Sequence, residues 1–143
     1  MKLDDLLKMH AAELDALFKK SPPGKIPTGE AEGRAIIAPG TELSAPLAEF
    51  VQYFAWKGKV FDPAHGVLRN NILPFGVKAI IAKVYPGKSW FDEKECIILD
   101  YSETSLIAHW IRDEIREIAP NMYLGIVYWS KTKLIHFALQ FSG

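Results

Sequence analysis

The stretch Ile111-Arg112-Asp113-Glu114-Ile115-Arg116-Glu117-Ile118-Ala119-Pro120-Asn121-Met122-Tyr123-Leu124-Gly125 decides the fold, because two periods overlap in it. Ile107, Ile111, Ile115 and Ile118 recur at helical spacing, with Thr104 or Ser105 available as the cap. From Ile111 onward the same residues also alternate as a strand would. Arg112, Glu114 and Arg116 then share one face, and Ile111, Asp113, Ile115 and Glu117 the other. The favoured reading is a short helical turn near 104–110 followed by a strand that runs through Ala119-Pro120-Asn121 into the next one. A helix over residues 105–118 is the alternative, and it stays open at this point.

On either side the pattern is mostly β. Candidate strands are 66–73, 77–85, 95–101, 122–130 and 133–141. Turn signals separate them: Pro74-Phe75-Gly76, Tyr85-Pro86-Gly87-Lys88, Pro120-Asn121 and Ser130-Lys131-Thr132. Short strands joined by tight turns predict antiparallel pairing, and no strand–helix–strand alternation calls for a parallel sheet. Further toward the N-terminus, Gly33-Arg34-Ala35-Ile36-Ile37-Ala38 predicts a first strand, and Trp56 to Phe61 a turn into an extended segment. Between them Leu47, Phe50, Val51 and Phe54 predict a short helix over 45–55, with Ser44 as N-cap and Pro46 in its first turn. Residues 3–20 predict an amphipathic helix. Leu3, Leu6, Leu7, His10, Leu14, Leu17 and Phe18 form its stripe, acids open it, and lysines close it before a proline- and glycine-rich loop over 21–32.

The composition sets broad bounds. The chain has 143 residues, enough for one domain with a real core, and is 49% apolar and 24% charged, which excludes a disordered chain. Seventeen basic and seventeen acidic residues cancel, and the bases are scattered, so no nucleic-acid partner is expected. The single cysteine, Cys96, permits no intrachain disulfide. The opening Met1-Lys2-Leu3-Asp4-Asp5 lacks the features of a signal peptide, and no apolar run is long enough for a membrane span, so a cytoplasmic location is expected.

Many short antiparallel strands must hide their edges, and closure into a barrel does so. The expected fold is mainly β (α+β), a small antiparallel barrel with two N-terminal helices. An α+β cone, with a curved sheet around a helix, is the alternative. The opening Gly29 to Gly33 stretch, the strand series and Tyr123-Leu124-Gly125 resemble a calycin or lipocalin-like barrel over residues 29–141, although no Gly-x-Trp opens the first strand. The run from Asp100-Tyr101-Ser102 through Arg112-Asp113-Glu114-Ile115-Arg116 to Tyr123-Leu124-Gly125 is also similar to the signature of an uncharacterised bacterial family. The resemblance implies an apolar cavity for a small molecule and supplies no catalytic residues.

The chemistry-bearing candidates follow from residue type. Arg112 and Arg116 flank Glu114 and would clamp a carboxylate if they faced a pocket, whereas a solvated charged face is the plainer reading. Asp100 and Tyr101 at a barrel mouth, with His109 and Glu114, would serve as acids and bases, against the plainer reading of Asp100 as a turn cap. Trp56, Trp90, Tyr123 and Asn71 are candidate ligand contacts, and Lys83 a candidate amine if it faces inward rather than to water. Neither metal-ligand spacing nor a phosphate-binding, nucleotide-binding or serine-hydrolase motif occurs, so no metal and no cofactor are expected. Three functions follow. The first is binding of a small hydrophobic or amphipathic molecule, carboxylate-bearing if the arginines hold it. The second is a cofactor-independent lyase, isomerase or cyclase in the same cavity. The third is a protein-interaction subunit, for which a homodimer would suffice.

Overall fold

Alternation wins in the ambiguous stretch. In the computed structural model, which describes residues 2–36, 59–70, 80–102 and 110–142, Ile111–Ala119 is a strand, β6. Ile111, Asp113 and Ile115 are buried, but so are Glu114 and Arg116 on its other side. A strand covered on both faces carries large side chains at every position, and this gave Ile111, Ile115 and Ile118 their helical look. Ile115 belongs to the inner core, and Ile118 packs with the apolar cluster on the outer side.

The remaining strands are β1 (Gly29–Ile36), β2 (Lys59–Asp62), β3 (Val67–Asn70), β4 (Ile80–Lys88), β5 (Glu95–Asp100), β7 (Met122–Trp129) and β8 (Thr132–Phe141). Each pairs antiparallel with its neighbours in sequence, and β8 returns to β1 with Ala31 opposite Phe141 and Ile36 opposite His136. The sheet is therefore a closed barrel, mainly β, as the strand pattern predicted. Among the described residues each strand has a paired neighbour on both sides, though not along its whole length. The predicted helix 45–55, the turn at Pro74-Phe75-Gly76 and the helical turn near 104–110 lie outside the described residues.

Three boundaries differ from the sequence reading. β1 opens at Gly29, inside the stretch read as a loop over 21–32 and four residues before the predicted Gly33. Tyr85-Pro86-Gly87-Lys88 is the end of β4 rather than a turn. Pairing with β3 stops at Lys83, so Pro86 sits where the strand has only β5 to bond, and a proline is tolerated there. A Cβ at Gly87 would meet the Ile98 side chain at 2.3 Å, so this glycine marks a close approach between strands. The reversal is made instead by Ser89–Lys94, closed by the Lys94 carbonyl accepting from the Ser89 N–H at 2.8 Å. The predicted helix 3–20 is split into α1 (Leu3–Leu7) and α2 (Ala11–Lys20). His10 is not part of the apolar stripe. It opens α2, and its N–H donates to the Glu13 carboxylate at 3.2 Å.

Core residues fall into two shells. Ala31, Ala35, Phe61, Val84, Ile97, Leu99, Tyr101, Ile115, Val127, Phe137 and Leu139 form the inward-facing cluster. Outside it, Leu6, Leu14, Leu17 and Phe18 of the helices cover Cys96, Ile98, Leu124, Ile126 and Ala138. The greasy faces of α1 and α2 are thus spent on the chain's own barrel. The segment after α2 crosses one barrel end: the Pro23 carbonyl accepts from the Glu117 N–H at 3.3 Å, and the Lys25 carbonyl from the Tyr123 hydroxyl at 2.6 Å. No helix among the described residues is long and apolar enough to cross a membrane.

Candidate functional site

The opposite end of the barrel is the one at which the chain leaves β1, β3 and β5. Here the inward row changes character. Register sets Asp113 opposite Leu99 on β5 and Val127 on β7, and Ile111 opposite Trp129. Tyr101 follows β5 at the same end and is fully buried in the inner cluster. Asp113 is 3% exposed, a carboxyl on the inward face of β6 between Ile111 and Ile115. Such burial is costly unless the carboxyl is served by donors, and buried carboxyls in apolar surroundings concentrate at functional sites. Trp129 is partly buried against this cluster, and Trp110, half exposed, meets it edge to face at 6.3 Å.

Arg112, Glu114 and Arg116 do share one face, and that face is the outer one. Glu114 is fully buried and accepts three hydrogen bonds: from the Ser89 hydroxyl at 2.5 Å, the Trp90 N–H at 2.7 Å and Arg112 Nη2 at 3.1 Å. Arg112 Nη2 also donates to the Lys88 carbonyl at 2.7 Å, and its guanidinium lies 4.2 Å from the centre of the Trp90 ring. This network ties the 89–94 turn to β6 and fixes the indole of Trp90, which is 45% exposed. Trp90 in turn stands edge to face on Tyr128 at 5.2 Å. Burial, with Glu114 nearby, pushes the Tyr128 phenol well above its ordinary pKa, so it stays neutral.

Arg116 is 1% exposed and every one of its N–H donors is taken within the fold. It forks onto Asp92 through two contacts of 2.7 Å, and it donates to the carbonyls of Phe18, Lys94 and Glu95. The hydrogen bond from Arg116 holds the Asp92 carboxyl below the usual carboxylate range despite the opposing effect of burial. Arg116 therefore ties α2, the 89–94 turn and β6 together and has no donor left for a ligand.

Asp100 and Tyr101 are not brought together. Tyr101 faces inward. The Asp100 carboxylate, on the outside, accepts from the Ser102 N–H at 2.9 Å and the Tyr85 hydroxyl at 2.7 Å. Burial would raise its pKa, but the Ser102 and Tyr85 hydrogen bonds outweigh that and hold it low. It is a turn cap, the plainer of its two readings. Lys83 is exposed on the outer face, opposite Asp100 in register. Tyr123 is buried at the closed end, where burial pushes its phenol up to about 12. Trp56, Asn71 and His109 lie outside the described residues.

Sequence reasoning passed over two polar groups. Asp113 shares its face with Ile111, Ile115 and Glu117, and a carboxylate in the Ile111-x-Asp113-x-Ile115 alternation is itself a signal. His136, on the outer face of β8, approaches Asp15 of α2 at 2.7 Å, and Lys133 reaches the same carboxylate. Nothing near His136 or Asp15 in sequence announces that pair. Among the described residues, no cluster of histidine, cysteine and carboxylate side chains is suited to a metal ion.

No family model and no curated protein matches the chain. Among solved structures, a protein from Thermomonospora curvata is similar, with a TM-score of 0.65 at 14% identity, over 94% of this chain and 89% of that one. At that identity the likeness is one of fold.

Proposed function

We propose that this barrel is a lipocalin-like binder of a small hydrophobic or amphipathic molecule, admitted at the end where β1, β3 and β5 finish. The observation that carries the reading is the buried carboxyl of Asp113 on the inward face, with Tyr101 and Ile111 one inward position nearer that end. Aromatic and aliphatic walls with one or two convergent polar groups are what a small-molecule site needs. Arg112 and Arg116 lie outside the barrel, so they cannot clamp a carboxylate within it. A ligand with a hydroxyl, amide or amine turned toward Asp113 fits better.

Native mass spectrometry of protein purified without denaturation, with solvent extraction of whatever is bound, tests this. The expected result is a discrete small molecule at near one equivalent, lost or much reduced in Asp113→Asn while the far-ultraviolet circular dichroism is unchanged. An apo mass for wild-type protein, together with no saturable uptake of the fluorophore 1-anilinonaphthalene-8-sulfonate or of neutral N-phenyl-1-naphthylamine, would overturn it.

The inward placement of both Tyr101 and Asp113 also favours a second reading, cofactor-independent proton transfer on a bound substrate, with these two groups in place of Asp100 and Glu114. Turnover of the extracted molecule that is lost in Asp113→Asn while binding persists would select it.

A further inference from the structure

A cleft lies on the outside of the barrel, where the 89–94 turn meets β7 and the β7–β8 turn. Lys88, Ser89, Trp90, Glu93, Tyr128 and Lys131 line about 710 Å³ there. An isolated exposed tryptophan needs no explanation. This one is different, because the fold immobilises it. Its N–H is held by a fully buried carboxylate, its ring carries the Arg112 guanidinium, and its edge relation to Tyr128 makes two aromatic walls at nearly a right angle. Burying Glu114 carries a desolvation penalty, and part of what that buried charge secures is the position of a half-exposed ring. A ring fixed in advance binds a flat partner without first losing rotamer freedom.

The backbone around the cleft is unusual in the same way. The β7–β8 hairpin turns on Ser130 and Lys131 at φ 47° and 73°, and Glu93 in the facing turn stands at φ 62°. Two-residue hairpin turns of this kind favour Asn-Gly, since side-chain-bearing residues are disfavoured in the left-handed region. Here a lysine occupies the second position and is held at the cleft rim. Backbone conformations of this cost collect at ligand clamps.

The charges select the ligand. Lys88, Lys131 and Glu93 line the cleft, while Glu114 beneath it is already paired with Arg112 and accepts from two neutral donors, Ser89 and the Trp90 N–H. We infer that this outer cleft binds a small planar aromatic carboxylate, its ring stacked on Trp90 and its anionic group between Lys88 and Lys131. This site is separate from the interior one and stands without it.

The test uses 2-naphthoate as the probe and 2-naphthalenemethanol as its uncharged counterpart, titrated calorimetrically into the full chain and followed by ¹⁵N–¹H correlation spectra of the tryptophan indoles. The expected result is saturable binding of the naphthoate, tighter than that of the alcohol, with the Trp90 indole N–H resonance moving and that of Trp129 unmoved. Lys88→Gln and Lys131→Gln should each weaken the naphthoate about two- to fivefold and leave the alcohol unchanged. Trp90→Ala should weaken it about tenfold or more, and Trp90→Phe, which keeps a ring and the fold, by less. Equal affinity for acid and alcohol would overturn the anion assignment. Shifts at Trp129 in place of Trp90, or no saturable binding at millimolar probe, would overturn the site.

Discussion

Arg116 on β6 donates to the Phe18 carbonyl of α2 at 2.9 Å, across 98 residues of sequence, while its guanidinium lies over the Phe18 ring at 4.3 Å. One side chain thus closes the C-terminal turn of a helix, satisfies the carbonyls of Lys94 and Glu95 where the 89–94 turn enters β5, and pairs with Asp92. Removing it leaves a carboxylate that is itself only 9% exposed without its partner. Truncating one member of a buried pair of this kind costs about 3–5 kcal/mol. Arg116→Ala should therefore lower the urea midpoint sharply, and Arg116→Lys should recover only part of the loss, because an ammonium cannot fork onto Asp92 and reach three carbonyls at once. A loss below about 1 kcal/mol for Arg116→Ala would show that the N-terminal helices are held by their apolar face alone.

Gly125 and Phe137 are partners in the β7–β8 register, and a Cβ built on Gly125 would sit 2.3 Å from two carbons of the Phe137 ring. The ring occupies the space that any other residue would need. Gly125→Ala should destabilise by about 1–3 kcal/mol through overpacking. Phe137→Leu combined with it should cost less than the two single changes added together, because the smaller side chain relieves the clash that Gly125→Ala creates. Strict additivity in a double-mutant cycle by urea denaturation would show that the contact is not tight.

How far the sequence revealed this depended on what each strand faces. The apolar runs of β5, β7 and β8 and the turns at Pro120-Asn121 and Ser130-Lys131 were legible, because hairpins announce themselves locally. β6 was ambiguous because the 89–94 turn and α2 cover its outer face, so polar Glu114 and Arg116 became buried alongside Ile111 and Ile115. The Arg112–Glu114 pair was readable as neighbours on one face, but the direction of that face was not: it depends on closure between β1 and β8, a relation among residues about a hundred positions apart. Asp113 had the clearest unexploited signal. The Asp15–His136 contact had none, since its partners are 121 residues apart.

Cys96 is fully buried beneath the helices, and burial pushes its thiol up to about 12. At pH 8 only roughly one thiol in ten thousand is then ionised, and the thiolate is the reactive form. The folded protein should be silent toward 5,5′-dithiobis(2-nitrobenzoate) over an hour and react with one equivalent in denaturing urea. Because the helices form the cover, Arg116→Ala should accelerate labelling under native conditions by raising the population of the opened form. Equal, rapid labelling of wild-type and variant protein would mean that Cys96 is not covered.

His136 sets the acid side of the stability profile. Burial lowers its pKa below 6.5, and Lys133 adds to that, while the hydrogen bond and charge of Asp15 oppose it without winning. The unfolded chain therefore takes up this proton near pH 6.5 and the folded chain only at lower pH. Between those two points the unfolded state binds more protons, so stability must fall as pH falls, by at most about 1.4 kcal/mol per pH unit from this one group. Above pH 7.5 both states are neutral at this site and the contribution to the slope vanishes. The lowered carboxyls of Asp92 and Asp100 act in a separate window below about pH 4, where their protonation removes stability. Urea midpoints measured from pH 5 to 8 should decline toward pH 5 in the wild type and decline less in His136→Gln, which keeps a donor near Asp15 and carries no titrating ring. An identical decline in the variant would place the effect on another group and remove His136 from the account.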